Sequence, residues 1–206
     1  MKKKGLQLLF LFIGLTSMSY AQKIKVLDGD LGALKGEKIF NIEYDYSDMG
    51  VGKFKKEKEY VEKKRAEYNE KYKDEDPGKG DRWAESWVGD RVGRFQPMLE
   101  ELMNKNLEKP GVYVGNEKEA KYTMIIHTTF TEPGFNIYVT KKPAMINVVV
   151  KIVETNNHDN VVCTIVSKNN PGRTFGMGDF DTGLRISEAY AMCGKGLGKY
   201  FAKAWK

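Results

Sequence analysis

The chain has 206 residues, of which 34 are Lys or Arg and 28 are Asp or Glu, for a formal net charge of +6, and 41% of it is hydrophobic. That length suits one domain with a sizeable core, and no internal repeat or low-complexity tract breaks it. With two histidines and two cysteines, none of them paired at ligand spacing around a histidine, neither a metal site nor a cofactor is expected.

The opening stretch, MKKKGLQLLFLFIGLTSMSYAQ, places Lys2, Lys3 and Lys4 before an apolar run from Leu6 to Leu15, then Ser19-Tyr20-Ala21. This is the three-part layout of a secretory signal peptide, and the run is too short to span a bilayer. Cleavage is expected after Ala21, so residues 1–21 read as a signal and 22–206 as a single domain, exported to the periplasm or the extracellular space. Gln22, not cysteine, follows the cut, which argues against a lipid anchor. Three basic residues and no acidic ones leave with the signal, bringing the net charge down to about +3. A nucleic-acid partner, which would need basic residues gathered on one face, is therefore not expected. No later apolar stretch is long enough to form a transmembrane segment.

From Glu37 the chain alternates: Phe40, Ile42, Tyr44 and Tyr46 fall on one side, Asn41, Glu43 and Asp45 on the other. Period two with aromatic and branched residues predicts a half-buried strand. Residues 53–76 hold nine basic and eight acidic residues. Glu59, Lys63, Glu67 and Lys71 stand four apart, and Phe54, Val61, Tyr68 and Tyr72 form a narrow apolar stripe. A solvated amphipathic helix accounts for the charge run better than a nucleic-acid or membrane arm. "DPGKGD" at 76–81 ends it. A second helix is predicted through Val88, Val92, Phe95, Leu99, Leu102 and Met103, with a kink or a new start at Pro97. Trp83 and Trp87 at its front read as packing, with an aromatic ligand platform as the alternative.

The second half is strand-rich, with candidates at 121–130, 144–155 and 160–168. "NNHD" (156–159) is a polar turn that would close the last two into an antiparallel hairpin, with His158 in the turn and His127 inside a strand. The connection 131–143, TEPGFNIYVTKKP, is longer than a hairpin needs and carries Phe135, Asn136, Ile137, Tyr138 and Val139. Long connections with apolar content tend to bind something or to form a short strand of their own, so these residues are the candidate contact. A last helix from about Thr182 is expected to pack on the sheet. The resulting fold class is α/β (α+β), a single mixed or antiparallel sheet of about four strands with helices packed on it, in the order β-α-α-β-β-β-α.

Cys163 in "NVVCTIVS" and Cys193 on the apolar side of the last helix both face the core. A disulfide between them is one reading, and two buried free thiols the other. The closing stretch holds two more chemical temptations. Asp181-Thr182-Gly183 after Phe180 matches the aspartic-protease triplet, but that chemistry needs a second carboxylate, and a helix N-cap explains the same residues. "CGKGLGKY" has the wrong glycine spacing for a phosphate loop and lacks the Ser or Thr after the lysine. On a helical wheel its small residues Ser187, Ala191, Gly194, Gly198 and Ala202 form a shoulder that would let another backbone come close. No catalytic residue emerges.

The order of elements, with "Y.M.I...F.EPGFN" (122–136) leading into a hairpin and "RISEAYAMCGKGLGKYF" (185–201) closing the chain, resembles small exported proteins of unassigned activity common in Bacteroidota. More remotely, it is similar to the α/β domain shared by the TolB N-terminal domain and the outer-membrane activators of penicillin-binding proteins. The resemblance implies a binding or scaffolding role at the cell envelope, with an envelope protein or glycan as partner, and transfers no site residues. The alternative function is a hydrolase of an extracellular or envelope polymer, using carboxylates such as Asp179 or Asp181. Self-association through the glycine shoulder is the third reading.

Overall fold

A computed structural model describes residues 21–172 and 180–205 of the chain. The alternating segments pair into one sheet whose main path is β1 (Lys23–Gly29), β9 (Asn157–Gly172), β8 (Ala144–Glu154), β5 (Tyr122–Glu132), β2 (Ile39–Asp45) and β4 (Tyr113–Gly115). The short β3 (Gly50–Val51) adds to β5, making seven strands in all. The pairs β1–β9, β9–β8 and β8–β5 are antiparallel, whereas β2 is parallel to both β5 and β4, and β3 is parallel to β5. The architecture is thus mixed α/β, and the expectation of about four strands is corrected upward: β1, β3 and β4 were not foreseen. A two-stranded ribbon of β6 (Phe135–Asn136) and β7 (Lys141–Lys142) stands apart from this sheet.

β8 and β9 form the expected antiparallel hairpin, but its turn lies at Thr155 and Asn156. His158 is therefore a strand residue of β9 and not a turn residue. His127 lies on β5, where its Nε2 stands 2.8 Å from the Ser47 carbonyl oxygen.

The helices are α1 (Glu57–Lys71), α2 (Lys79–Asp90), α3 (Gln96–Leu107) and α4 (Thr182–Ala204). Period-two burial along β8 turns Ile146, Val148, Val150 and Ile152 inward. They meet Leu99 and Met103 of α3 and Ile186, Tyr190, Leu197 and Phe201 of α4 in one core. Trp205 closes the far end, its indole stacked on Phe40 at 5.3 Å and on Phe201 at 5.1 Å, with Nε1 donating to the Leu31 carbonyl at 3.0 Å. Among the described residues no helix is long and apolar enough to cross a membrane.

Between α2 and α3 the residues Arg91–Phe95 form a π turn, in which the Gln96 N–H reaches back to the Arg91 carbonyl. Pro97 explains it. A proline ring inside an α-helix collides with the carbonyl four residues earlier, and one widened turn relieves that collision without ending the helix. Of the kink or new start expected at Pro97, the structure places the proline in the first turn of α3, directly after the π turn.

α1 buries no residue fully and packs on α2 through aromatic rings. Tyr60 lies 5.9 Å from Trp83 and 5.1 Å from Trp87, and Tyr68 lies 5.7 Å from Trp83. The tryptophans therefore form the seam of a helical hairpin. Lys63–Glu67 at 3.5 Å is part of the solvated charge ladder. Glu57 fixes the base of the hairpin by accepting from Trp87 Nε1 at 2.6 Å and pairing with Arg91, whose guanidinium covers the Tyr46 ring at 4.2 Å.

Candidate functional site

The connection 131–143 leaves the sheet at the end of β5 and returns at the start of β8, and its root is tightly specified. Glu132 accepts the Gly134 N–H at 3.1 Å and pairs with Lys142 at 2.6 Å. Gly134 has φ +65°, and a Cβ there would collide with the Lys142 carbonyl oxygen, so both its conformation and its space require glycine. Arg185, buried in the first turns of α4, donates to the Pro133 carbonyl at 3.3 Å, the Gly134 carbonyl at 3.4 Å and Thr182 Oγ1 at 2.9 Å. Its guanidinium ties the root of the ribbon to the helix, using the fixed fork geometry that lysine lacks.

Beyond this root the side chains point into solvent. Ile137 is 56% exposed, Tyr138 90% and Val139 91%, with Phe135 also exposed. Phe180 and Leu184, at the entrance to α4, are exposed too, and the Phe180 ring lies 4.8 Å from that of Tyr138. Half of the exposed large apolar side chains among the described residues are therefore gathered on this ribbon and the adjoining helix end. Scattered apolar residues on a surface are ordinary, whereas a contiguous projecting group marks an interaction site. Tyr138 adds backbone evidence: its φ is +66°, and its N–H donates to Asn136 Oδ1 at 2.9 Å. A left-handed conformation costs a non-glycine residue about 1–2 kcal/mol. The conformation closes the turn between β6 and β7, where the Val139 N–H donates to the Ile137 carbonyl at 2.8 Å and the Ile137 N–H to the Thr140 carbonyl at 3.1 Å, a place that glycine would fill without cost.

Phe135, Asn136, Ile137 and Tyr138 thus sit together on one projection. Phe180 and Leu184 escaped sequence reasoning. The available signal was that Leu184 is apolar yet off the buried stripe of α4.

The carboxylates beside this surface are engaged structurally. Asp181 caps α4, accepting the Leu184 N–H at 3.0 Å. Arg94 joins it at 2.9 Å and also holds Asp90 at 3.1 Å. Asp90 is thus the second carboxylate that the single Asp-Thr-Gly lacked, but the pair shares a guanidinium and not a proton. Burial raises the Asp90 carboxyl above its ordinary value, against the pull of Arg94. Burial pushes Asp181 the same way but is outweighed by the cap hydrogen bonds and Arg94, so its carboxyl lies below the ordinary value. An ionised cap held by arginine is poorly suited to give or take a proton at neutral pH. Asp179 lies outside the described residues.

Cys163 and Cys193 are both buried free thiols, with no bridge between them. Burial pushes Cys193 up to about 12, opposed by a hydrogen bond with Ser167, and raises Cys163 as well. Neither has the thiolate character of a nucleophile. Among the described residues no group of three or more His, Cys, Asp or Glu side chains could hold a metal ion.

No family model matches the chain, and no curated protein does. Among solved structures it is similar to the PelC L103M dodecamer from Paraburkholderia phytofirmans, at 10% identity over 88% of this chain and 97% of that one, with a TM-score of 0.37. It is also similar to the PelC dodecamer from the same organism, at 9% identity over 86% of this chain and 97% of that one, with a TM-score of 0.36. Likeness at this level assigns no family.

Proposed function

We propose that the chain is an exported, non-enzymatic binding module of the cell envelope whose β6–β7 ribbon inserts into an apolar pocket on a partner protein. One observation carries the reading: an exposed Ile137-Tyr138-Val139 tip, with Tyr138 in an unfavourable backbone conformation, mounted on a root fixed by Arg185, Glu132 and Gly134. Large apolar side chains on a rigid base are the pattern of an interface anchor, because little conformational entropy is left to lose on docking. The tip carries one exposed aromatic ring between two exposed aliphatic side chains, which favours a protein pocket over a glycan, since sugars are usually met by a flat aromatic platform. Export is supported by the basic, apolar and small-residue layout of the first 21 residues.

The test is crosslinking in cells followed by mass spectrometry, comparing the natural chain with a Phe135→Ala, Tyr138→Ala variant. The expected result is loss of a specific crosslinked envelope protein with the fold intact by circular dichroism. An unchanged set of partners would remove the ribbon from the interface. Fractionation with antibody detection tests export separately, and retention in the cytoplasm would refute it.

A further inference from the structure

The lysine face of α4 takes no part in the ribbon site, and it converges on a cavity. Between the C-terminal ends of α3 and α4 lies a cavity of about 350 Å³, lined by Lys109, Lys199, Lys203 and Asn106 over a floor that includes Pro110 and Trp205. Among the described residues no carboxylate lines it. Lys38 stands at its edge, donating to the Pro110 carbonyl at 2.7 Å.

This arrangement differs from the rest of the surface. On α1 the lysines are interleaved with acids and paired with them, as in Lys58–Glu62 and Lys63–Glu67. After Glu188, α4 carries Lys195, Lys199 and Lys203 at successive spacings of four with no acidic residue among them. Like charges four apart on a helix repel by about 0.2–0.5 kcal/mol per pair. The helix dipoles account for part of the charge, since cations are favoured near a C-terminus. Lys105 and Lys203 already occupy the last turns of α3 and α4. Lys199 lies a turn further back, and Lys109 lies beyond the end of α3. Their charge exceeds what the dipoles need.

We infer that this cavity is an anion site for a phosphate group carried on a compact organic stem. Ammonium groups act as point charges on phosphate oxygens, and three lysines line this cavity. Bare phosphate would leave most of the cavity empty, while Pro110 and the edge of Trp205 offer apolar surface to a stem. Cavities of about 300 Å³ and above are the size of small-molecule sites. A soluble phosphate ester and a phospholipid headgroup share this chemistry. α4 is 23 residues and about 34 Å long, with the cavity near its C-terminal end and the apolar ribbon beside its N-terminal end, so the two could be occupied together.

Calorimetric titration of the full chain with sodium pyrophosphate at fixed ionic strength tests the site. One saturable event is expected, weakened at least tenfold in the Lys199→Gln, Lys203→Gln variant and by less than twofold in a Lys58→Gln, Lys71→Gln control. No saturation, or equal weakening in both variants, would overturn the proposal. Sedimentation with phosphatidylglycerol vesicles separates the sources. Binding that disappears in the Lys199→Gln, Lys203→Gln variant supports the headgroup. Pyrophosphate binding without vesicle binding, or with vesicle binding that ignores these lysines, supports the soluble ester.

Discussion

Gly194 of α4 lies against the Leu99 carbonyl oxygen of α3, closer than any side chain would permit. One turn on, Gly198 stands the same way to the Met103 carbonyl, so the two helices run parallel with their backbones in contact. The glycine shoulder that suggested self-association is therefore filled by α3 of the same chain. Gly194→Ala is expected to destabilise the fold by about 1–3 kcal/mol, because the overpacking term outweighs the helix propensity gained. Gly89→Ala on α2 is the contrast: a Cβ there meets nothing, and stability should rise by up to about 1 kcal/mol. Chemical denaturation of both variants checks the opposite signs.

The same pair shows what the sequence could and could not disclose. Small residues at helical spacing announce a close approach, but the partner, some 95 residues earlier in the chain, leaves no trace in local periodicity. The long strands were legible because their alternation is local and runs for many residues. β3 and β4 are two and three residues long and exist only through parallel pairing with distant strands. β1 has the right alternation in Ile24 and Val26, yet it is an edge strand whose partner lies some 140 residues away. At the candidate site, Phe135 to Val139 stood out as apolar content in an overlong connection. Phe180 and Leu184 did not, because what makes them part of the surface is their position in space beside Tyr138.

Asp181 links the capping of α4 to pH. Its carboxyl lies below the ordinary value in the folded state, so its contribution is present above the unfolded carboxylate value, near 4, and is lost as pH falls through the folded value. Asp90 is raised and acts in the opposite sense, favouring the fold most where it is protonated. Asp181→Ala should lower stability at neutral pH by about 1 kcal/mol through the lost cap. It should also flatten the loss of stability below pH 4, as followed by thermal melts across pH 2 to 7.

The thiols give a second readout of the core. With Cys193 raised to about 12 by burial, a thiol-specific reagent at pH 8 should label neither cysteine in the folded chain. In denaturant it should label both, giving two thiols per chain. A single labelled site before unfolding would mean that one cysteine is accessible, and none after unfolding would mean that they are bridged. The raised value sets a direction as well: the stability associated with the neutral Cys193 thiol is complete below about pH 9 and declines as pH rises towards 12.

Tyr138 separates binding from stability. Its left-handed backbone costs about 1–2 kcal/mol, which glycine would not incur, while glycine gives back about 0.4–1 kcal/mol through the greater freedom of the unfolded chain. The ring, 90% exposed with Phe180 beside it, contributes little to the fold. Tyr138→Gly should therefore leave stability unchanged or raise it by up to about 1 kcal/mol, while abolishing capture of the partner. Tyr138→Phe keeps the apolar ring and should keep capture. A Tyr138→Gly variant that melts several degrees lower would show that the residue serves the fold through its ring contact with Phe180. If stability and capture divide as expected, the strain at Tyr138 is retained for what the tip meets.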